Sequence, residues 1–293
     1  MSRTFLLAAA ASLCLAGAAA AQSPHDNPGF TPGPNNDASA CSALWKGIGL
    51  PQYSPNDEHD TTLVCHTKYL MSHNNDALGP DWVIEHLTAL VPRGAVDDDY
   101  KNSGGFDRGH QAPSADFNED VDWMKESFIL SNVVPQAGVG FNRDVWAKLE
   151  AHVRDLAIAR GELYVIAGPI YPDGGGKITV SAKSNACGNE IVLDPPPRKS
   201  ICGGKDQCDD GVIVPSGMFK LIYDPNMQRA NVFLMPNINH RNADDYSNSM
   251  DYVKKFQVTV AALEQASNLS FFHDMPVSRR RPIEQACPTV MEP

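Results

Sequence analysis

His110 sits in the run Phe106-Asp107-Arg108-Gly109-His110-Gln111-Ala112-Pro113. An imidazole exchanges protons near neutral pH, which suits removal of a proton from an attacking water. On an extended segment Arg108 shares a face with His110, so a guanidinium that can hold phosphate stands beside the base. Gly109 between them leaves room for a backbone or a ligand to approach closely. Asp107 is expected on the opposite face, in a structural ion pair.

Some thirty residues on, Asn142, Glu150 and Arg154 supply an amide, a carboxylate and another guanidinium. Residues four apart share one helix face, so Glu150 and Arg154 are expected as neighbours. The plainer reading of that pair is one solvated ion pair. Asn142 lies eight positions before Glu150, two turns along an α-helix and about 80° round it. The chemical reading needs a hard metal ion with few protein ligands. Magnesium takes oxygen ligands and keeps most of its waters. The Asn142 carbonyl can supply one ligand, Glu150 can order water around the ion, and Arg154 can hold a phosphate oxygen whose charge grows in the transition state. Together these residues suit phosphodiester hydrolysis.

The segment 142–160 carries the clearest helical pattern, with Val145, Trp146, Leu149, Val153 and Leu156 at three- and four-residue spacing. Gly138 and Gly140 give it a flexible entry and Gly161 a stop. The segments 63–66, 69–71 and 106–110 read as strands, and 82–87 as strand or helix. Ile129-Leu130-Ser131-Asn132-Val133-Val134 reads as a buried strand. Leu163-Tyr164-Val165-Ile166-Ala167 is expected as a central strand ended by Gly168-Pro169, and 212–214, 218–223 and 230–235 as further strands. A short helix is expected over 120–128 and a longer one over 253–266. Strands and helices mix without regular alternation. That points to an α+β fold with a mixed, mainly antiparallel central sheet flanked by helices.

Arg3, the apolar run 5–17 and Ala19-Ala20-Ala21 read as a secretory signal cut after Ala21. No later stretch reaches the roughly 20 apolar residues of a membrane helix. Residues 22–40 are rich in Pro, Asn, Gly and Asp and read as a flexible leader. The remainder, 41–293, is expected to form one domain, exported to the periplasm or beyond the cell. Of seven cysteines, Cys14 leaves with the signal, and the six that remain favour disulfides. A tight loop through Gly203-Gly204 and Asp206 suggests Cys202–Cys208. Cys41–Cys65 is a second pairing, and Cys187–Cys287 follows by elimination.

The formal charge of −11 taken alone argues against nucleic acid, whose phosphates normally meet a basic face. A local positive groove on an acidic body reconciles the two. Asp97-Asp98-Asp99 invites a second metal site but reads first as a solvated acidic loop, and Arg279-Arg280-Arg281, a candidate contact to a nucleic-acid backbone, reads first as a solvated basic tail that Cys287 anchors.

Asp107-Arg108-Gly109-His110, then Ser131-Asn132 with Pro135-Gln136, then Asn142 with Trp146, Leu149-Glu150 and Arg154, resemble the DNA/RNA non-specific endonucleases, the ββα-metal or His-Me finger nucleases. The resemblance runs over about residues 69–272. It takes in Tyr164-Val165-Ile166-Ala167-Gly168-Pro169, Val214-Pro215 and Phe219-Lys220. It implies a ββα-metal motif with His110 as general base and Asn142 as the only direct protein ligand to Mg²⁺, with Mn²⁺ as an alternative ion. Waters would complete the octahedron, one of them protonating the leaving 3′ oxygen so that a 5′-phosphate remains. It implies that Glu150 positions those waters and that Arg108 and Arg154 stabilise phosphate charge. Asn132 would be a supporting polar residue near the metal, and Arg93 a further phosphate contact. DNA and RNA are the implied substrates, read through their phosphates. The stretch 187–210, with Pro195-Pro196-Pro197, departs from the family pattern as an inserted loop. The oligomeric state stays open, a homodimer included. Two other readings stand beside this one: a non-catalytic nucleic-acid-binding or surface module on the same fold, and a different exported hydrolase.

Overall fold

The computed structural model describes residues 38–54, 60–88, 105–171, 176–197, 200–201 and 212–293. Residues 1–21, most of the leader, Arg93, Asp97-Asp98-Asp99, Cys202 and Cys208 lie outside the described residues.

Nine strands position the site. They are β1 (Thr61–Cys65), β2 (Tyr69–Asn74), β3 (Gly79–Thr88), β4 (Phe106–His110), β5 (Val133–Ala137), β6 (Glu162–Ile170), β7 (Gly217–Asp224), β8 (Arg229–Pro236) and β9 (Gln257–Val258). The longer helices that accompany them are α1 (Val121–Ser127), α2 (Ala147–Arg160), α3 (Val260–Ser267) and α4 (Val277–Gln285). Seven strands form one sheet in the order β9-β8-β7-β6-β3-β2-β1, and every described pairing in it is antiparallel. The fold is thus α+β, as the unalternating pattern implies.

Successive side chains on a strand point to opposite faces, and both faces of this sheet are covered. Tyr164 and Ile166 of β6, Phe219 and Leu221 of β7 and Val232 and Leu234 of β8 enter one apolar cluster, together with Leu263 of α3 and Ile283 of α4. Leu163 and Val165, Met218 and Ile222, and Phe233 and Met235 enter another, with Leu149, Val153 and Leu156 of α2. Burial on both faces explains why the central strands read as apolar runs broken by few polar residues, Glu85 of β3 and Lys220 of β7 among them. On the α2 side, Val83, Met71 and Val64 continue the sheet face into a third cluster with Ala112 and Phe117.

Several elements differ from expectation. The segment 82–87, open between strand and helix, lies inside β3. β6 does not stop at Gly168-Pro169 but runs to Ile170, because Pro169 pairs only with Met218 of β7. The paired part of β3 has ended by then, so proline withholds no donor from a second neighbour. A Cβ on Gly168 would lie 2.3 Å from the Asp81 carbonyl, so glycine serves a close approach there rather than a stop. Ile129 and Leu130 are not in a buried strand. Leu130 is 63% exposed, a 3₁₀ turn spans Leu130–Asn132, and β5 begins at Val133. The helix expected over 253–266 is interrupted by β9, where Val258 pairs with Val232. It restarts at Val260, with Thr259 Oγ1 accepting the Ala262 N–H at 3.1 Å. The basic run near the C-terminus is not a tail: it lies in α4, where Arg280 pairs with Glu284. Disulfides join Cys41 to Cys65 and Cys187 to Cys287.

Candidate active site

β4 and β5 pair outside the main sheet, with His110 opposite Val133 and Asp107 opposite Gln136. The chain returns from β5 through Gly138 into the stretch Gly138–Trp146, which is kinked at Val139 (φ −80°, ψ 133°) and Gly140 (φ 83°), turns π-helical after the kink and continues as α2. Two antiparallel strands and a helix therefore carry the chemical residues. Alternation on β4 puts an exposed Arg108 and a half-buried His110, its Nε2 buried, on one face and buries Asp107 and Gly109 on the other. His110 meets the ring of Phe128 edge-on, with centroids 4.9 Å apart. The space over Gly109 belongs to the protein itself: a Cβ there would lie 2.1 Å from the Gln136 side chain. The close approach expected at this glycine is thus made by Gln136.

Asp107 is the hinge of the site. Its Oδ2 accepts the Asn142 Nδ2 donor at 2.9 Å and the Arg143 Nε donor at 2.8 Å, and its Oδ1 accepts the Arg143 Nη2 donor. The ion pair expected on this face is present, with Arg143. The carboxylate also fixes the Asn142 amide. Nitrogen must face Asp107, so Oδ1 is the end left to coordinate. Gly138 passes close above: a Cβ there would lie 2.7 Å from Asp107 Oδ1.

The α-helical register expected between Asn142 and Glu150 does not hold, because Asn142 lies in the π-helical stretch. The cause is local. Gly140 has φ +83°, a region open to glycine at little cost, and its N–H donates to Asp144 Oδ2 at 2.6 Å. Arg241 holds the same carboxylate at 2.7 and 3.1 Å.

Glu150 and Arg154 both face the sheet side of α2, but Arg154 takes Asp116 as its bonded partner, Nη1 to Oδ1 at 2.8 Å. The solvated Glu150–Arg154 pair is replaced by a partly buried set. Burial pushes the Glu150 carboxyl up to about 7, against the pull of Lys220 and Arg154. Burial likewise raises Asp116, with Arg154 opposing. Asn132 is fully buried and holds backbone. Its Nδ2 donates to the carbonyls of Ala112 at 2.9 Å and Ser127 at 2.8 Å, and its Oδ1 accepts the Ala112 N–H at 3.0 Å. It locks the chain just beyond His110.

Among the described residues no three His, Cys, Asp or Glu side chains group around an ion position. The Asn142 Oδ1, turned outward by Asp107, is an oxygen donor that could hold a divalent ion together with water. That suits a hard ion that keeps its hydration shell.

The sequence reading missed Asp116, Glu85 and Lys220. The last two were legible as charges inside apolar strand runs, Trp82-Val83-Ile84-Glu85-His86-Leu87 and Met218-Phe219-Lys220-Leu221-Ile222-Tyr223.

A ββα unit with a DRGH strand, docked on an antiparallel sheet, defines a metal-dependent nuclease. The chain belongs to the DNA/RNA non-specific endonuclease family, whose model matches residues 71–278. It is an endonuclease that hydrolyses phosphodiester bonds, in a family that works with a divalent metal. It is 29% identical over 280 residues to the mitochondrial nuclease of Saccharomyces cerevisiae, covering 85% of this chain and 76% of the relative. A nuclease of Syncephalastrum racemosum is 32% identical over 235 residues, 72% of this chain and 67% of the relative. The solved EndoG/EndoGI complex matches with a TM-score of 0.58 at 27% identity, over 82% of this chain and 94% of the matched one.

Proposed function

We propose that this chain is an exported endonuclease that cuts both DNA and RNA, with His110 as general base and one Mg²⁺ or Mn²⁺ held by Asn142. The observation that carries this reading is the Asp107 carboxylate. It sits on the His110 strand, takes the nitrogen end of the Asn142 amide and so presents the oxygen end.

His110 takes the proton of the attacking water at a ring nitrogen. Arg108, on the same face of β4, holds a phosphate oxygen. Arg154, anchored through one nitrogen to Asp116, offers its remaining donors to the charge that grows on the phosphoryl oxygens. Glu150 orders water beside the phosphate, and Asn132 fixes the backbone that carries His110. A divalent ion held by Asn142 would neutralise phosphate charge and supply an acidic water for the leaving 3′ oxygen, so that a 5′-phosphate would remain. Contacts on phosphate rather than base edges make cleavage insensitive to sequence. Export is supported by Arg3 with the apolar run 5–17 and by two disulfides, which persist in oxidising compartments. Among the described residues no helix is long and apolar enough to cross a membrane.

The test is incubation of the mature protein with supercoiled plasmid and with RNA, each in Mg²⁺ and in EDTA, followed by ligation of the DNA products. Cleavage of both that EDTA stops, with ends that ligate without kinase, is expected. No cleavage by a folded, disulfide-intact sample overturns the reading.

A further inference from the structure

Beneath the proposed site lies a set of buried charges that the reaction as derived does not use. Glu85 of β3 and Lys220 of β7 are each 1% exposed. Val83, Ala167 and Lys220 form one row across the sheet, and Glu85, Val165 and Ile222 the next on the same face. That face is the one α2 covers, since Val165 and Ile222 pack with Leu149 and Val153. The two charges therefore stand on the floor of the site, separated by strand β6, between the apolar cluster under α2 and the one around Val83 and Phe117.

Three groups face them from above. Glu150 and Arg154 come from α2, and Asp116 from the turn Ser114–Phe117. Glu85 interacts electrostatically with Asp116, Lys220, Glu150 and Arg154. Lys220 acts on Glu150 and Asp116, and its ammonium lies 5.1 Å from the centre of the Trp146 ring, one helical turn before Glu150. An uncompensated charge here would be strongly unfavourable, so the five groups must be read as a unit. Three carboxyls against two cations leave one negative charge in excess. The set is neutral when one carboxyl keeps its proton. Glu85 is the best placed to keep it once Glu150 ionises, since burial pushes its carboxyl well above the ordinary range.

We propose that Lys220 and Glu85 are positioning residues of the phosphodiester reaction, holding Glu150 and Arg154 in their working places from the sheet below. This rests on the nuclease reading above. Lys220 is the cation that balances Glu150, leaving Arg154 to Asp116 and the phosphate. Glu85 acts as a neutral polar partner, and its carboxyl head rather than its charge is what the set requires.

The test uses Lys220→Met, which keeps length and loses charge, with Glu85→Gln and Glu85→Leu. Each is measured for melting, for kcat and KM on DNA in Mg²⁺, and for DNA binding in EDTA. Lys220→Met is expected to lose about 10- to 100-fold in kcat, the range for partners that orient reacting groups, with KM and binding within about twofold. Glu85→Gln is expected to keep kcat within about threefold, and Glu85→Leu to lose at least about tenfold. The inference is overturned if folded Lys220→Met keeps wild-type kcat. It is also overturned if the loss lies wholly in KM and binding, or if Glu85→Gln and Glu85→Leu have equal kcat. Should Lys220→Met fail to fold, the two Glu85 variants decide. A wild-type protein that does not cut would sink the nuclease reading itself, a result distinct from active wild type with insensitive variants.

Discussion

Asp107 and Asn142 lie 35 residues apart in the chain and are joined by one hydrogen bond, Asn142 Nδ2 to Asp107 Oδ2 at 2.9 Å. Because a carboxylate only accepts, this bond decides which end of the amide faces outward. Asp107→Asn removes that decision, since an amide opposite an amide can pair either way round. The expected result is a rise of about 10- to 100-fold in the Mg²⁺ concentration that half-saturates cleavage, the usual cost of losing a ligand's orienting partner. Arg143 is 41% exposed and can turn to solvent, so the fold should persist. Titration of activity with Mg²⁺ checks this; an unchanged midpoint would remove Asp107 from the metal's support.

His110 is half-buried at the end of β4, its ring perpendicular to that of Phe128. His110→Ala should leave the fold intact. Loss of a positioned general base should lower kcat by about 10²- to 10⁴-fold. Plasmid cleavage and circular dichroism on the same sample check both halves, and a fully active variant would sink the mechanism.

Asn132 tests positioning against direct chemistry. Its amide makes three hydrogen bonds to backbone in a site with no exposure. Asn132→Ala leaves an N–H and two carbonyls buried without their partner, at a cost of about 2–4 kcal/mol. Urea denaturation should show that loss, with activity falling because residues 111 and 112 follow His110 directly. A loss under about 0.5 kcal/mol would mean the backbone there does not depend on this amide.

Local signals made much of this site legible. Alternation on Asp107-Arg108-Gly109-His110 placed Arg108 with His110 and Asp107 opposite, and the strand bears that out. Three- and four-residue apolar spacing found α2, and Gly161 ends it at φ +88°. What periodicity could not show were partners set by tertiary packing. Arg154 has Glu150 one turn away in sequence, yet it bonds Asp116, 38 residues distant. The π-helical stretch was hidden for a similar reason, since it depends on Gly140, Asp144 and the remote Arg241 together. Lys220 and Glu85 were visible as charges in apolar runs, but only the sheet register puts them under α2.

The same buried set predicts how stability depends on pH. The Glu150 carboxyl rises from 4.5 to about 7 in the folded protein, first through burial. Between those values the folded state holds a proton that the unfolded chain has released. Stability is then greatest below about pH 4.5 as far as this group is concerned, falls as pH rises through the window, and levels off above about 7. Burial shifts Asp116 and Glu85 in the same direction, so they add to the slope. At about 1.4 kcal/mol per pH unit, Glu150 contributes at most about 3.5 kcal/mol, and less to the extent that water reaches it. Glu150→Gln keeps the shape and removes the titration, so its stability should change less between pH 5 and 7.5 than the wild type's. Urea midpoints in EDTA across that range check this, and identical slopes in the two proteins would show that the proton resides elsewhere.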